Sequence, residues 1–230
     1  MAVSLRDVTV RKKNGREVTL AIGQCIPITP GVSMESREGE TFTHFLSMEI
    51  KADEHLNIFQ KDLQDLQRRM KEVSGVGKPS KLESLHLTMA TIKVNPTEME
   101  EVTKKTMVAF QSYVDLLHSS HGVNVTFKEI GHGDHGVIWL NVSLGSESVK
   151  VLRELLEDEL APYLTDSRFH PHLTIFRKCD LSEEMKEGVR TAVKEVRMES
   201  VNLERITLRE RKSGPTVKEP LLTMSLSTEM

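Results

Sequence analysis

Apolar residues fall in two patterns along the chain. Short runs alternate apolar with polar, and longer runs repeat apolar at steps of three and four; the first period marks strands and the second helices. Val8, Val10, Val18, Leu20 and Ile22 alternate around Asn14-Gly15, a hairpin-turn dipeptide. Pro27, Pro30 and Gly31 end that run, and residues 33–41 are polar. Residues 1–40 are therefore expected to be an N-terminal β-hairpin extension and linker, ahead of one domain over 41–230. Thr43 to Ile50 reads as a strand. Leu56, Phe59, Leu63, Leu66, Met70 and Val73 follow helical steps, with Asp53 placed to cap them. A strand runs from Leu85 to about Val94. A second helix follows Asn95-Pro96, with Thr97 and Glu100 spaced as a capping box and Met99, Val102, Thr106, Phe110, Tyr113 and Leu117 as its inner stripe.

Val123 to Ile130 and Val137 to Leu144 read as two strands around a glycine-rich loop, Gly131 to Gly136. Val149, Leu152, Leu156, Leu160 and Tyr163 mark a third helix, and Leu181, Met185, Val189, Ala192 and Val196 a fourth. A strand beginning near His172 separates them. Strands from Ser200 to Leu208 and from Leu221 to Ser227 follow. From residue 43 the order is strand, helix, strand, helix, two strands, helix, strand, helix, two strands. That is a duplicated α+β layout, and the economical packing sets two halves side by side about a cleft.

Each half carries the same tripeptide in a strand. His86-Leu87-Thr88 and His172-Leu173-Thr174 lie 86 residues apart. In a strand, residues i and i+2 share a face. His86 with Thr88, and His172 with Thr174, therefore project together, while Leu85, Leu87 and Met89, and Leu173 and Ile175, point to the core. Pro171 lacks a ladder donor and suits a strand start. His170 has the parity of His172, which places it either on the same face or at the surface of the strand entry.

Composition narrows the chemistry. The net charge is −3, from 31 basic and 34 acidic residues in 230, so no global basic field favours duplex binding. Two cysteines, Cys25 and Cys179, make no disulfide framework. No apolar run reaches the ~20 residues of a membrane span, and the N-terminus is charged too early for a signal peptide. An intracellular monomer, cytoplasmic or nuclear, without membrane attachment is expected. Gly75 to Ser80 fails as a phosphate loop, because Glu72 stands at the first glycine position and Pro79 follows Lys78. His132, Asp134 and His135 all sit in one glycine-rich loop, whereas a metal site needs three or four converging ligands, usually from more than one segment; a plain hairpin loop is the better reading, and no metal and no cofactor is expected.

Two imidazoles titrating near neutrality can act as general base and general acid. Two hydroxyls beside them can hold non-bridging phosphate oxygens. The set suits a phosphodiester. No Cys-His or Ser-His-Asp pattern competes.

On His86-Leu87-Thr88, Pro171-His172-Leu173-Thr174 and the element order over about 43–228, the sequence resembles the two-histidine (2H, LigT-like) phosphoesterases. Phe45-Leu46-Ser47-Met48, Phe127-Lys128-Glu129-Ile130-Gly131 and Phe169 resemble one branch most, that of the A-kinase anchoring protein central domain and leukocyte receptor cluster member nine. The resemblance implies a bilobal fold with two antiparallel sheets facing a central cleft and helices outside. It implies metal-independent action on RNA ends, short oligonucleotides or nucleotides, at bonds involving a 2′ oxygen. The substrates would be 2′,3′-cyclic phosphates or, alternatively, 2′,5′-oligoadenylate-type linkages. A non-catalytic module binding an AMP- or CMP-like nucleotide is a further alternative. His86 and His172 would be the acid–base pair, Thr88 and Thr174 the phosphate ligands, and Phe169 and His170 contacts to the base or cleft. Residues 1–40 have no counterpart in the branch. Leu221 to Leu226 reads as a strand rather than a kinase-anchoring helix, so kinase anchoring is not carried over.

Overall fold

The computed structural model describes residues 8–11, 17–20, 42–50, 54–74, 77–81, 84–117, 123–133, 136–166, 169–177, 182–195, 200–211 and 220–226. Asp53, the Asn14-Gly15 turn, residues 33–41, His118, His121, Asp134, His135, Leu181 and both cysteines lie outside them. The chain divides into two compact units, Met1–Val32 and Ser33–Met230.

In the first unit, β1 (Val8–Arg11) and β2 (Glu17–Leu20) pair antiparallel, with Val8 opposite Leu20 and Val10 opposite Val18. The alternation predicts that register.

The second unit contains β3 (His44–Ile50), α1 (Glu54–Ser74), β4 (Lys78–Pro79), β5 (His86–Ile92), α2 (Met99–Leu117), β6 (Val123–Val125), β7 (Phe127–Gly133), β8 (Val137–Val142), α3 (Ser146–Leu160), β9 (His172–Arg177), α4 (Glu183–Glu195), β10 (Val201–Glu210) and β11 (Leu222–Ser225). One nine-stranded sheet, antiparallel throughout, runs β11-β10-β3-β5-β9-β8-β7, with β4 added at β9 and β6 at β10. The two expected sheets are its halves, joined between β5 and β9 through the pair Leu87↔Leu173. The sheet halves are not the chain halves, because β10, from the end of the chain, pairs with β3.

One face of the sheet is apolar and covered. Leu46 and Met48 of β3, Leu87 and Met89 of β5, Leu140 of β8 and Leu173 and Ile175 of β9 are fully buried. They share a core with Leu63 and Leu66 of α1, Val102 and Tyr113 of α2, and Leu152 and Leu156 of α3. Each such leucine stabilises the fold by about 1.5–3 kcal/mol through removal from water. The helices pair α1 with α4 and α2 with α3.

Two sequence expectations change in detail. The capping box is Asn95 with Glu98, not Thr97 with Glu100: the Glu98 carboxylate accepts from the Asn95 backbone N–H at 3.2 Å and its side-chain amide at 2.8 Å. A one-turn 3-10 helix over Pro96–Glu98 precedes α2, which moves the cap two residues back. The strand expected over 123–130 is broken at Thr126. Its first part pairs with β10 and its second with β8. Thr126 sits at the switch, its hydroxyl 2.9 Å from that of Ser143.

Candidate active site

The register of the central pair decides which side chains meet. Leu87 and Leu173 lie opposite one another and both face the core. Directly opposed residues of an antiparallel pair share a face. Their neighbours His86, Thr88, His172 and Thr174 are therefore all carried on the other face of the sheet, and all four are partly exposed.

Both strands bulge immediately after the motif. Leu46 pairs with Ala90 but Ser47 with Thr88, and Ile138 pairs with Phe176 but Trp139 with Thr174. Met89 with Ala90, and Ile175 with Phe176, consequently turn inward in succession. Thr91 and Arg177 then return to the motif face.

The two imidazoles are held alike. His86 Nδ1 is 2.8 Å from the Ser84 carbonyl oxygen, and His172 Nδ1 is 2.7 Å from that of His170. A carbonyl only accepts, so each Nδ1 carries the proton and each neutral ring keeps its lone pair on Nε2. Among the described residues, neither Nε2 nor the hydroxyls of Thr88 and Thr174 has a protein partner. Burial holds both imidazoles below their ordinary value of 6.5, because it penalises the charged ring. The carbonyl bonds oppose that. Arg177 and Arg209 lower His86 further, and the His170 and His86 rings lower His172.

Adjacent strands surround the two rings differently. On β3, Glu49 lies opposite His86 and Ser47 opposite Thr88. Glu49 pairs with Arg209 and, at 3.5 Å, Arg205 of β10. The Phe45 ring stacks on His86 at 5.6 Å. On β8, Asn141 lies opposite His172 and Trp139 opposite Thr174. The indole is 5.2 Å from the His172 ring, and the His170 ring stacks on His172 at 6.5 Å.

His170 thus belongs to the motif face. Its Nε2 is 2.8 Å from Asn141 Oδ1, and burial with the nearby Lys150 charge lowers its pKa. Phe169, partly exposed, packs against the core with the Arg153 guanidinium 5.4 Å above its ring. The rings beside the imidazoles are Phe45 and Trp139.

Arg153 itself, 2 % exposed, ties the two motif segments together. Its Nη1 donates to the Met89 carbonyl, next to Thr88, at 2.8 Å, and to Asp166, ahead of His170, at 3.0 Å. Sequence reading missed Asn141, Trp139 and Arg153. Their roles depend on partners from other strands, and only the glycines at 131 and 133 hinted at a large ring to be accommodated.

Among the described residues no group of three His, Cys, Asp or Glu side chains could hold a metal ion. No described helix is long and apolar enough to cross a membrane.

Comparison with known proteins bears on the fold and the family. A crystal structure of a phosphoesterase superposes with a TM-score of 0.58 at 17% identity, covering 82% of this chain and 100% of that one. E. coli LigT in its apo form gives 0.54 at 19%, covering 83% and 100%, and LigT complexed with 3′-AMP gives 0.52 at 16%, covering 82% and 100%. These likenesses establish the fold. No curated protein sequence matches the chain. Residues 59–215 match the sequence profile of the 2′-5′ RNA ligase superfamily, which is more than half of the chain. The chain therefore belongs to the 2′-5′ RNA ligase superfamily, the two-histidine, LigT-like phosphoesterases.

Proposed function

We propose that the protein is a metal-independent phosphodiesterase acting at bonds that involve a 2′ oxygen, by preference hydrolysing 2′,3′-cyclic phosphates. His86 and His172 form the acid–base pair, and Thr88 and Thr174 hold the phosphate. One observation carries this reading. Both imidazoles donate Nδ1–H to a carbonyl two residues upstream, which leaves both Nε2 atoms unpartnered on one face, each with a hydroxyl two residues on.

In the reaction, one neutral Nε2 takes a proton from water as the water oxygen bonds to phosphorus. The other ring, protonated, gives its Nε2 proton to the ribose oxygen as the P–O bond breaks. The product is a nucleoside monophosphate, and the pair ends with its protons exchanged. The threonine hydroxyls donate to the non-bridging oxygens, whose charge grows in the transition state. The 3′-AMP taken by LigT supports a ligand of this size.

A second reading, cleavage of 2′,5′-oligonucleotides such as 2′,5′-oligoadenylate, is favoured by Phe45. Its ring is partly exposed beside His86 and offers a base a surface to stack on. A module that only binds an AMP- or CMP-like nucleotide would have no use for two matched Nε2 atoms. The test is turnover of a panel of cyclic phosphates and 2′,5′-linked oligonucleotides in EDTA. Turnover of the cyclic phosphates at an undiminished rate is expected. Activity lost in EDTA and restored by a divalent ion contradicts the mechanism, and nucleotide binding with no turnover of any member supports the binding module.

A further inference from the structure

We propose that Asn141 is a substrate-binding residue, whose side-chain amino group donates to the anionic oxygens of the ligand beside His172 and Thr174. The proposal rests on the reading that this face binds a phosphate.

The argument begins with two glycines. A Cβ at Gly131 would lie 2.0 Å from Trp139 Nε1, and one at Gly133 would lie 2.9 Å from the six-membered part of the same ring. The two positions of β7 therefore make room for the indole, which is only 6% exposed. Indole nitrogen donates and never accepts. Trp139 Nε1 lies 2.8 Å from one terminal atom of Asn141, so that atom is the carbonyl oxygen, Oδ1. The amide orientation is thus fixed by chemistry. His170 Nε2 lies 2.8 Å from the same oxygen and must also donate to it. Two donors on Oδ1 leave the amino group on the other branch.

That amino group has no protein acceptor among the described residues. It belongs to a partly exposed side chain directly opposite His172, and Trp139, on the same face, lies opposite Thr174. A locked amide with both N–H groups unspent, on the motif face and opposite His172, is built to meet oxygen acceptors. A phosphate or the 2′,3′-diol region of a ribonucleotide supplies them. The threonines give one donor from each motif strand, and Asn141 adds two on the β9 side.

The test is Asn141→Asp. It keeps an oxygen for Trp139 and His170 and replaces the amino group with a second oxygen. Two quantities are measured: kcat/KM for a 2′,3′-cyclic nucleotide, and the Kd of 3′-AMP read by fluorescence of Trp139, the one tryptophan of the chain. The expected result is an unchanged Tm within a few degrees, with kcat/KM reduced and Kd raised by at least about 10-fold, the lower end for a hydrogen bond to a charged group. Values of both within twofold of wild type overturn the proposal. If the wild type turns over no cyclic phosphate, weaker 3′-AMP binding by the variant still supports the role of Asn141 while the catalytic reading fails. A wild type that binds neither 3′-AMP nor inorganic phosphate overturns both. If the variant does not fold, the Asn141 amino resonances of the wild type are followed during 3′-AMP titration. A downfield shift supports the proposal, and their failure to move overturns it.

Discussion

The two motif strands are close copies locally and differ in what adjoining strands bring to them. β5 and β9 share the His-Leu-Thr face, the bulge after it, and the Nδ1 bond to a carbonyl two residues upstream. Around His86 the surroundings are charged: Glu49 and Arg209 lie across the sheet, and Arg177 acts on the ring from β9. Around His172 they are uncharged hydrogen-bonding groups: Trp139, Asn141 and a stacked His170. Backbone geometry thus makes the imidazoles equivalent, and side chains from β3, β10 and β8 make them different. A duplicated strand can supply a symmetric pair, but division of labour between acid and base needs unlike neighbours.

The predictions that test this contrast run from large to small. Substituting either histidine by alanine removes one proton transfer, typically worth ~10²–10⁴-fold in rate. Both rings stand on a partly exposed face, so circular dichroism and Tm should remain close to wild type. Unequal losses would sharpen the contrast between the two strands, and near-normal turnover of either variant would break it.

Gly131→Ala comes next, and it acts on the β9 side alone. Its Cβ collides with the indole, and overpacking of this kind costs about 1–3 kcal/mol. The expected outcome is a lowered Tm with displacement of Trp139 fluorescence and reduced turnover. An unchanged emission spectrum would show that the indole is not seated by the glycine.

Thr88→Ala and Thr174→Ala each delete one donor to phosphate. Losses of about 10- to 100-fold in kcat/KM are expected, the range for a hydrogen bond to a charged group. Equal losses would mean that the unlike neighbours of the two strands do not reach the phosphate.

The pH dependence is the finest probe. Activity needs one neutral and one protonated imidazole, so kcat/KM against pH is a bell centred midway between the two macroscopic pKa values of the free pair. Burial lowers both rings, which puts that centre below 6.5. A bound phosphate anion favours imidazolium, so the kcat profile should lie at higher pH than that of kcat/KM. Glu49→Gln removes a negative charge that raises His86 and should move the kcat/KM bell to lower pH. A shift upward would place the charged surroundings with the wrong ring.

Much of this site is legible in the sequence because it is written in period two. His86 with Thr88 and His172 with Thr174 follow from parity alone, and the leucine between each pair locates the core. The element order is legible for the same reason, through Leu63 and Leu66 on α1 or Leu152 and Leu156 on α3. What is not legible depends on partners distant in sequence. Nothing local says that β10 joins β3, or that the run from Val123 breaks at Thr126 to serve two neighbours. Asn141 and Trp139 alternate with the core residues Ile138 and Leu140, and their chemistry emerges only when the segment before β9 brings His170 alongside. The same holds for Arg153, which covers Phe169 and looks like one more charge on α3 until its carbonyl and carboxylate partners are seen.

The central claim is that His86 and His172 serve one event as a matched pair. It is tested most directly by kcat/KM for a 2′,3′-cyclic nucleotide, measured in EDTA for both single alanine variants and the double variant. Groups that act as a unit are not additive. The account predicts that each single variant loses ~10²–10⁴-fold and that the double variant is little worse than the poorer single. A folded His172→Ala protein with near-normal turnover, or a double variant whose loss is the product of the two single losses, would contradict it.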